Sequence, residues 1–142
     1  MPKSSEFEKL YPGSARNPFL NWMGIELLDA GEGWVRMKMA FRTELLQPHT
    51  VHGGAIYSLA DTAATHSLMT IIFPQELATT VEQRINFLKA VREGDIYCEA
   101  RVLHLGKTLA YTEATLTQAD QTLIAKSAAT QMRLDPSRWI RK

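Results

Sequence analysis

Residues 49–68, HTVHGGAIYSLADTAATHSL, hold the pattern that decides the fold. Apolar residues recur at three- and four-residue spacing, which predicts one long helix over residues 53–72 that ends before Pro74. The helix is rich in Gly and Ala, and Asp61 is its only formally charged residue. Because a surface helix normally has a charged face, we expect this helix to be buried nearly all round.

The chain on both sides of this helix alternates apolar and polar residues, as is typical of β-strands. The alternation is clear at Val35–Phe41, before the helix, and at Val81–Phe87 and Ile96–Val102, after it. Residues 109–117 and 122–134 continue the series. We predict about five or six mostly antiparallel strands packed on one buried helix, which makes an α+β domain.

Capping and turn residues separate these elements. Asn17 before Pro18 predicts the start of a short helix, PFLNWM, and Gly24 predicts its end. The glycines of AGEG, residues 30–33, predict a hairpin turn. Residues 42–52 have no clean period and include a proline, so we predict a loop there.

The length of 142 residues predicts one domain over residues 1–142. We expect an N-terminal helical segment over residues 1–23, where Ser5 and Glu8 have the spacing of a capping box. Residues 135–142 are expected to form a solvated C-terminal tail.

Composition argues against several classes of function. The net charge of +1, with no basic stripe, predicts that the chain has no nucleic-acid partner. No run of about 18 apolar residues occurs, so no membrane span is expected. Cys98 is the only cysteine and is expected to be buried filler in its strand. A single cysteine and an N-terminus without an apolar run predict a cytoplasmic protein.

Two glycines, Gly53 and Gly54, open the predicted long helix. Each glycine costs about 1 kcal/mol of helix stability relative to alanine, which suggests a close approach to the backbone. The first N–H groups of a helix are unpaired and carry partial positive charge, so they can bind an anion or a developing oxyanion. The alternative is tight packing of the helix start against a sheet.

Asp61 is the second unusual feature of the helix. A carboxylate buried alone costs several kcal/mol unless it is paired, hydrogen-bonded or neutral. A structural alternative to a catalytic role is a bond to a neighbouring hydroxyl such as Ser58 or Thr65. Gly53 and Asp61 are eight positions apart, or about 12 Å along the axis, so within one helix both cannot contact one carbonyl group. If they share a site, two chains of a two-fold dimer must supply them.

The run HGGAIYSLADTAA at residues 52–64 and the strand TVEQRINFL at 80–88 resemble the hotdog-fold acyl-CoA thioesterases of the phenylacetate-degradation type. The resemblance covers roughly residues 20–134. It implies an antiparallel sheet wrapped around one long central helix. It also implies hydrolysis of a small or medium acyl-CoA, which includes aromatic acyl groups. Coenzyme A would be part of the substrate, with no further cofactor, and the chain would form a homodimer or a dimer of dimers with interfacial sites.

The resemblance implies roles for individual residues. Asp61 would be the nucleophile or the general base that activates water. The Gly53 N–H, with Gly54 beside it, would polarise the thioester carbonyl from the other subunit. His52 would position substrate or water through its backbone carbonyl, and Thr80 would lie near the attacking water.

Further residues are implied on the coenzyme A side, and one position departs from the family pattern. Gly106 and Lys107 match a glycine-plus-basic pair near the coenzyme A phosphates, and Asn86 lies on the matching strand. The family commonly has Asn six residues before the histidine of HGG, whereas this chain has Gln47 five residues before His52. We include Gln47 among the candidate catalytic residues because its amide can still reach water or the carboxylate.

Other chemistries fit the sequence less well. His49, His52 and His66 lack the spacing of a zinc motif, so no metal is expected. A triad of Ser58, a histidine and Asp61 is disfavoured because no histidine is placed to bridge the other two. A non-catalytic acyl-CoA-binding domain is the alternative that the departure at position 47 favours. A hotdog dehydratase is less favoured, because the aspartate has no histidine partner.

Overall fold

The computed structural model describes residues 17–139. The helical turns predicted around Ser5 and Glu8, and the end of the predicted tail, lie outside the described residues. Three α-helices are described: α1 (Pro18–Met23), α2 (Gly53–Ile72) and the short α3 (Pro136–Trp139), and a single 3-10 turn spans Thr43–Leu45. Six strands are described: β1 (Ile25–Gly31), β2 (Trp34–Met39), β3 (Leu77–Phe87), β4 (Ile96–Leu105), β5 (Leu109–Thr117) and β6 (Leu123–Leu134).

The six strands form one sheet in the order β1-β2-β4-β5-β6-β3, and every neighbouring pair is antiparallel. Helix α2 packs against the sheet and contacts all six strands. Strands β1 and β3 are the two edges, and among the described strands β3 pairs only with β6. This architecture confirms the predicted hotdog fold, an antiparallel sheet around one central helix.

The predicted caps and turns are confirmed. The Asn17 side chain accepts hydrogen bonds from the Phe19 and Leu20 N–H groups at 3.0 and 3.3 Å. Gly24 ends α1 with φ +69°, and Gly33 has φ +78° in the turn between β1 and β2. Both angles lie in the left-handed region that favours glycine.

The prediction that α2 is buried nearly all round is wrong for one side of the helix. The side that faces the sheet is buried and includes Leu59, Ala60, Ala63 and Leu68. The opposite side is exposed or half-buried, and we call it the open stripe: Gly54, Tyr57, Ser58, Asp61, Thr62 and Thr65. The sequence did not reveal this stripe because it consists of a glycine, small polar side chains and one tyrosine, and Asp61 is its single charged residue.

Strand β3 also departs from the predicted pattern. Of its apolar residues Val81, Ile85 and Phe87, only Ile85 packs against the core, while Val81 is 56% and Phe87 52% exposed. The pairing with β6 shifts register between Thr80 and Glu82, so Val81 is an extra residue in a β-bulge. A simple alternation cannot anticipate such a shift, because one inserted residue reverses the faces of the side chains.

Candidate active site

Asp61 lies on the open stripe of α2, half-buried, and faces a cleft of about 390 Å³ between α1 and α2. Its position explains how an otherwise uncharged helix tolerates a carboxylate, since the side chain borders solvent and not the core. The other residues that line this cleft are Asn17, Phe19, Leu20, Tyr57, Ser58, Thr62, Thr65 and His66.

The hydrogen-bond partner of Asp61 comes from β3. The Thr80 hydroxyl donates to Asp61 Oδ1 at 2.6 Å, a short bond of the kind that an ionised acceptor forms. Neither hydroxyl proposed from sequence is the partner, because Ser58 donates to the Gly54 carbonyl and Thr65 contacts Thr80. Within residues 17–139, Oδ1 alone is held in this way, so Oδ2 is the oxygen available to a bound molecule.

The start of α2 is organised around His52. The Gly54 N–H donates to His52 Nδ1 at 2.7 Å, so the His52 side chain caps the helix start by accepting at Nδ1. The His52 carbonyl already accepts from the Ala55 and Ile56 N–H groups in the first turn, which leaves it poorly placed to orient a substrate. Gly53 is the first helical residue, and its N–H has no acceptor inside the helix.

Both glycines are sterically constrained. A Cβ atom at Gly53 would lie 3.1 Å from Cζ of Phe87, and one at Gly54 would lie 2.9 Å from His52 Nδ1. The packing alternative for these glycines therefore has a structural basis, because the helix start is pressed against the end of β3. The oxyanion role assigned to Gly53 stays a prediction.

A second cleft, of about 260 Å³, lies beside the helix start. Its lining includes Trp22, His52, Gly54 and Ser58, and Ser58 borders both clefts. Trp22 is 67% exposed.

Aromatic groups on α1 border both clefts. The Phe19 and Trp22 rings lie 6.4 Å apart, and the Arg42 guanidinium is 5.4 Å from the Trp22 ring centroid. Phe19 is 48% exposed, so α1 presents an apolar aromatic surface next to the carboxylate. Helix α1 buries only Leu20 and Met23, which is why its aromatic residues stay outside the core.

Four predicted residues lie elsewhere in the chain. Gln47 is exposed in a loop where its N–H donates to the Thr50 carbonyl, and it borders neither cleft. Asn86 is exposed on β3, opposite Lys126. The remaining pair, Gly106 and Lys107, forms the turn between β4 and β5.

An arginine side chain from β6 holds the Gly106-Lys107 turn in place. Arg133 Nη1 donates to the Gly106 carbonyl at 2.8 Å, and the same guanidinium pairs with Glu76. A Cβ at Gly106 would lie 2.5 Å from the Leu109 carbonyl oxygen, so only glycine fits. Lys107 is exposed, and its ammonium group can reach a ligand from solvent.

Two buried titratable groups, His66 and Cys98, keep a single protonation state near neutral pH. Burial lowers the pKa of His66 to about 4, and its Nδ1 donates to the Thr62 carbonyl at 2.8 Å, so the ring is neutral at pH 7. Burial raises the pKa of the Cys98 thiol, which therefore stays protonated and is no nucleophile. Within residues 17–139 no three His, Cys, Asp or Glu side chains are grouped to hold a metal ion. None of the helices in this part of the chain is long and apolar enough to cross a membrane.

Comparison with known proteins identifies the class. A sequence model of the thioesterase superfamily matches residues 49–125. The chain is 32% identical over 111 residues to an assigned esterase of Saccharolobus solfataricus, covering 78% of this chain and 73% of the other. It is 29% identical over 106 residues to the acyl-coenzyme A thioesterase PaaI of Escherichia coli, covering 72% and 73%.

The fold comparison agrees. A thioesterase family protein of Silicibacter pomeroyi superposes with a TM-score of 0.83 at 28% identity, covering 90% of this chain and 97% of the other. The chain belongs to the thioesterase superfamily, as its sequence resemblance implied. It is accordingly a thioester hydrolase.

Proposed function

We propose that this chain hydrolyses acyl-CoA thioesters, with Asp61 as the reacting carboxylate and the Gly53 N–H of a second chain as the oxyanion donor. The observation that carries the proposal is the Asp61 side chain itself. It faces an open cleft, one oxygen is held by Thr80 at 2.6 Å, and the other oxygen is available. A carboxylate with only a structural role has no need of such an opening.

The chemistry can follow either of two routes. As a general base, Asp61 takes a proton from water while the water oxygen attacks the thioester carbonyl carbon. The carbon–sulfur bond then breaks, and the proton passes from Asp61 to the leaving thiolate. As a nucleophile, Asp61 forms an acyl anhydride with loss of the thiolate, and water then cleaves the anhydride. In both routes the carbonyl oxygen becomes negative, and a helix N–H stabilises it.

The edge strand supports a site made by two chains. Within residues 17–139, strand β3 has no partner on its outer side, and it exposes Val81, Phe87 and the adjacent Leu88. A long edge strand with exposed apolar side chains favours pairing with another strand. The Thr80 end of β3 lies beside Asp61, and its Phe87 end lies beside Gly53. Antiparallel pairing of two β3 strands would therefore bring the carboxylate of one chain towards the helix start of the other.

The remaining predicted residues fit this arrangement. The aromatic surface of α1 next to Asp61 suits the acyl group, which can be aliphatic or aromatic. Lys107, on the turn between β4 and β5, would attract the phosphates of coenzyme A. Asn86 and Gly54 would contact the part of the substrate that lies between these phosphates and the thioester. Gln47, exposed in its own chain, is free to meet a site of the second chain. Dimers of this kind can pair further into a dimer of dimers.

The first experiment compares the parent with Asp61→Asn on a panel of aliphatic and aromatic acyl-CoA substrates, with release of the free thiol as the readout. We expect the variant to lose almost all turnover and to keep its melting temperature within a few degrees. Cys98 is buried and will not react with the thiol reagent in the folded protein. Parental turnover by Asp61→Asn would contradict the role of the carboxylate. Tight binding by the parent without thiol release from any substrate would support the non-catalytic alternative.

A mixed-dimer experiment tests whether the site is shared. Asp61→Asn and Gly53→Pro each remove one half of the proposed site, so neither homodimer should turn over substrate. After unfolding and refolding of an equal mixture, half of the dimers are mixed and each has one intact site, which predicts about a quarter of the parental activity. No recovery from a mixture shown to contain mixed dimers would place both groups in one chain.

A further inference from the structure

The Thr80–Asp61 contact continues into the core through two more side chains. Gln131 on β6 donates from Nε2 to Thr65 Oγ1 at 3.0 Å. Thr65 Oγ1 lies 3.5 Å from Thr80 Oγ1, and Thr80 donates to Asp61 at 2.6 Å. Gln131 is also the direct cross-strand neighbour of Thr80. A chain of polar groups thus connects a buried amide to the carboxylate in the cleft.

The order of the donors in this chain follows from the atoms. Thr80 has one hydroxyl hydrogen, and the Asp61 carboxylate takes it, so the Thr80 oxygen can only accept from Thr65. Thr65 therefore donates to Thr80, and its oxygen accepts from the Gln131 amide. All three hydrogens point towards Asp61. Aligned hydrogen bonds polarise one another, so each one strengthens the next.

Stability alone does not account for Gln131. Its side chain is fully buried, and the amide oxygen has no hydrogen-bond partner among the described residues. Burying an unsatisfied polar atom is costly, and an apolar side chain of similar size would avoid that cost. The buried neighbours of Gln131 on β6 are Ala129 and Ser127, and its cross-strand neighbour on β5 is Ala110. Among the described residues, the one hydrogen bond of the Gln131 side chain leads to the active-site network.

We propose that Gln131 is a positioning residue that acts on Asp61 through Thr65 and Thr80. Its amide fixes the orientation of the Thr65 hydroxyl, which then donates to the Thr80 oxygen. The Thr80 hydroxyl is thereby held as a donor to Asp61 Oδ1, and Oδ2 stays available for the reaction. This inference rests on the proposed role of Asp61. It adds a residue 70 positions away in the chain, which never touches the substrate.

The test is a double-mutant cycle in the full-length protein, with Gln131→Met and Thr65→Val. Each single variant should lower kcat about three- to tenfold, the value of one ordinary hydrogen bond, with KM unchanged. The double variant should be no slower than Thr65→Val alone, because the chain is already cut. Thr65→Ser keeps the hydroxyl and should recover most of the parental kcat. If Gln131→Met fails to fold, Thr65→Val and Thr65→Ser still test the link to Thr80.

Thr112→Val is the matched control. Thr112 is fully buried on β5, and among the described residues its hydroxyl donates only to the Ala129 carbonyl, at 3.4 Å, so this variant should keep the parental kcat. Parental kcat in Gln131→Met would overturn the proposal, as would reductions that multiply in the double variant or an equal loss in Thr112→Val. Asp61→Asn is measured alongside. Parental turnover by that variant would instead defeat the proposed function.

Discussion

The start and the middle of α2 contribute different groups to the proposed site, and different parts of the chain hold those groups in place. At the start, Gly53 offers a backbone N–H group, and its geometry comes from the helix itself. In the middle, Asp61 depends on a hydroxyl from β3 that reaches it at 2.6 Å. A backbone donor is fixed as soon as the helix forms, whereas a side-chain carboxylate needs partners from the sheet.

This difference shows which kind of substitution each half of the site is sensitive to. The start tolerates little added volume, because Phe87 and the His52 ring crowd both glycines. The middle has space on the cleft side, but it depends on the identity of single hydroxyl groups. The start should therefore respond to changes in the backbone, and the middle to the loss of individual polar atoms.

After loss of the Asp61 carboxylate itself, the largest effect should come from removing the Gly53 N–H. Gly53→Pro does this without breaking the helix, because proline is favoured at the first helical position and His52 already has φ −58° and ψ 133°. We expect kcat to fall about 100- to 1,000-fold, as for the loss of one oxyanion donor. Steady-state kinetics on the best acyl-CoA substrate gives the value.

Gly53→Ala is the matched control for that change. It adds the same Cβ against Phe87 but keeps the N–H, so it should lose far less activity than the proline variant. Equal losses in the two variants would show that the position matters through packing alone. The circular dichroism spectra of both should match the parent.

The next effect concerns the stability of the middle of the helix in acid. The pKa of His66 is about 4 in the folded protein and about 6.5 when exposed, so only the unfolded state takes up a proton between these values. Stability is therefore full above pH 6.5 and falls as the pH drops to 4, by about 3 kcal/mol from this group. Urea unfolding of the parent and His66→Gln across this range measures it. If the free energies of unfolding of the parent and of His66→Gln change by the same amount from pH 7 to 4, the lowered pKa of His66 would be contradicted.

A smaller loss is expected from the hydroxyl that supports the carboxylate. Thr80→Val removes the 2.6 Å bond to Asp61 and keeps the shape of the side chain. A hydrogen bond to a charged group contributes about 1.5–3 kcal/mol, so kcat should fall about 10- to 100-fold. Thr80→Ser restores the hydroxyl and should recover most of this. Without that recovery, the effect of the valine would be one of packing.

The smallest effect should come from outside both regions, at Lys107. An exposed ion pair contributes about 1 kcal/mol or less, so Lys107→Ala should raise KM about two- to fivefold without changing kcat. The difference from the parent should shrink at high salt. Lys38→Ala removes a lysine that already pairs with Glu26 on the neighbouring strand, and KM should not respond to it. A response in kcat at Lys107 would point to a role nearer the reaction.

Much of the fold was predictable because local signals agree with it. The spacing of apolar residues predicted α2 at its observed bounds, and the capping residues predicted α1. The alternation in β3 misled because of the bulge at Val81, which is a property of pairing with β6 and leaves no mark in the strand's own sequence. Asp61 and Thr80 were predicted as site residues, but Gln131 was missed, since a lone glutamine in an apolar strand has no motif.

The sequence by itself determined the central helix, its glycine-rich start and the single carboxylate eight residues further on, because each is a matter of residue type and spacing. Only the tertiary structure decided that Asp61 faces a cleft and which hydroxyl holds it. Thr80 and Gln131 reach the same helix from strands that are distant in sequence, and their meeting depends on strand order and register. Those are set by how the whole core packs, which no local pattern encodes.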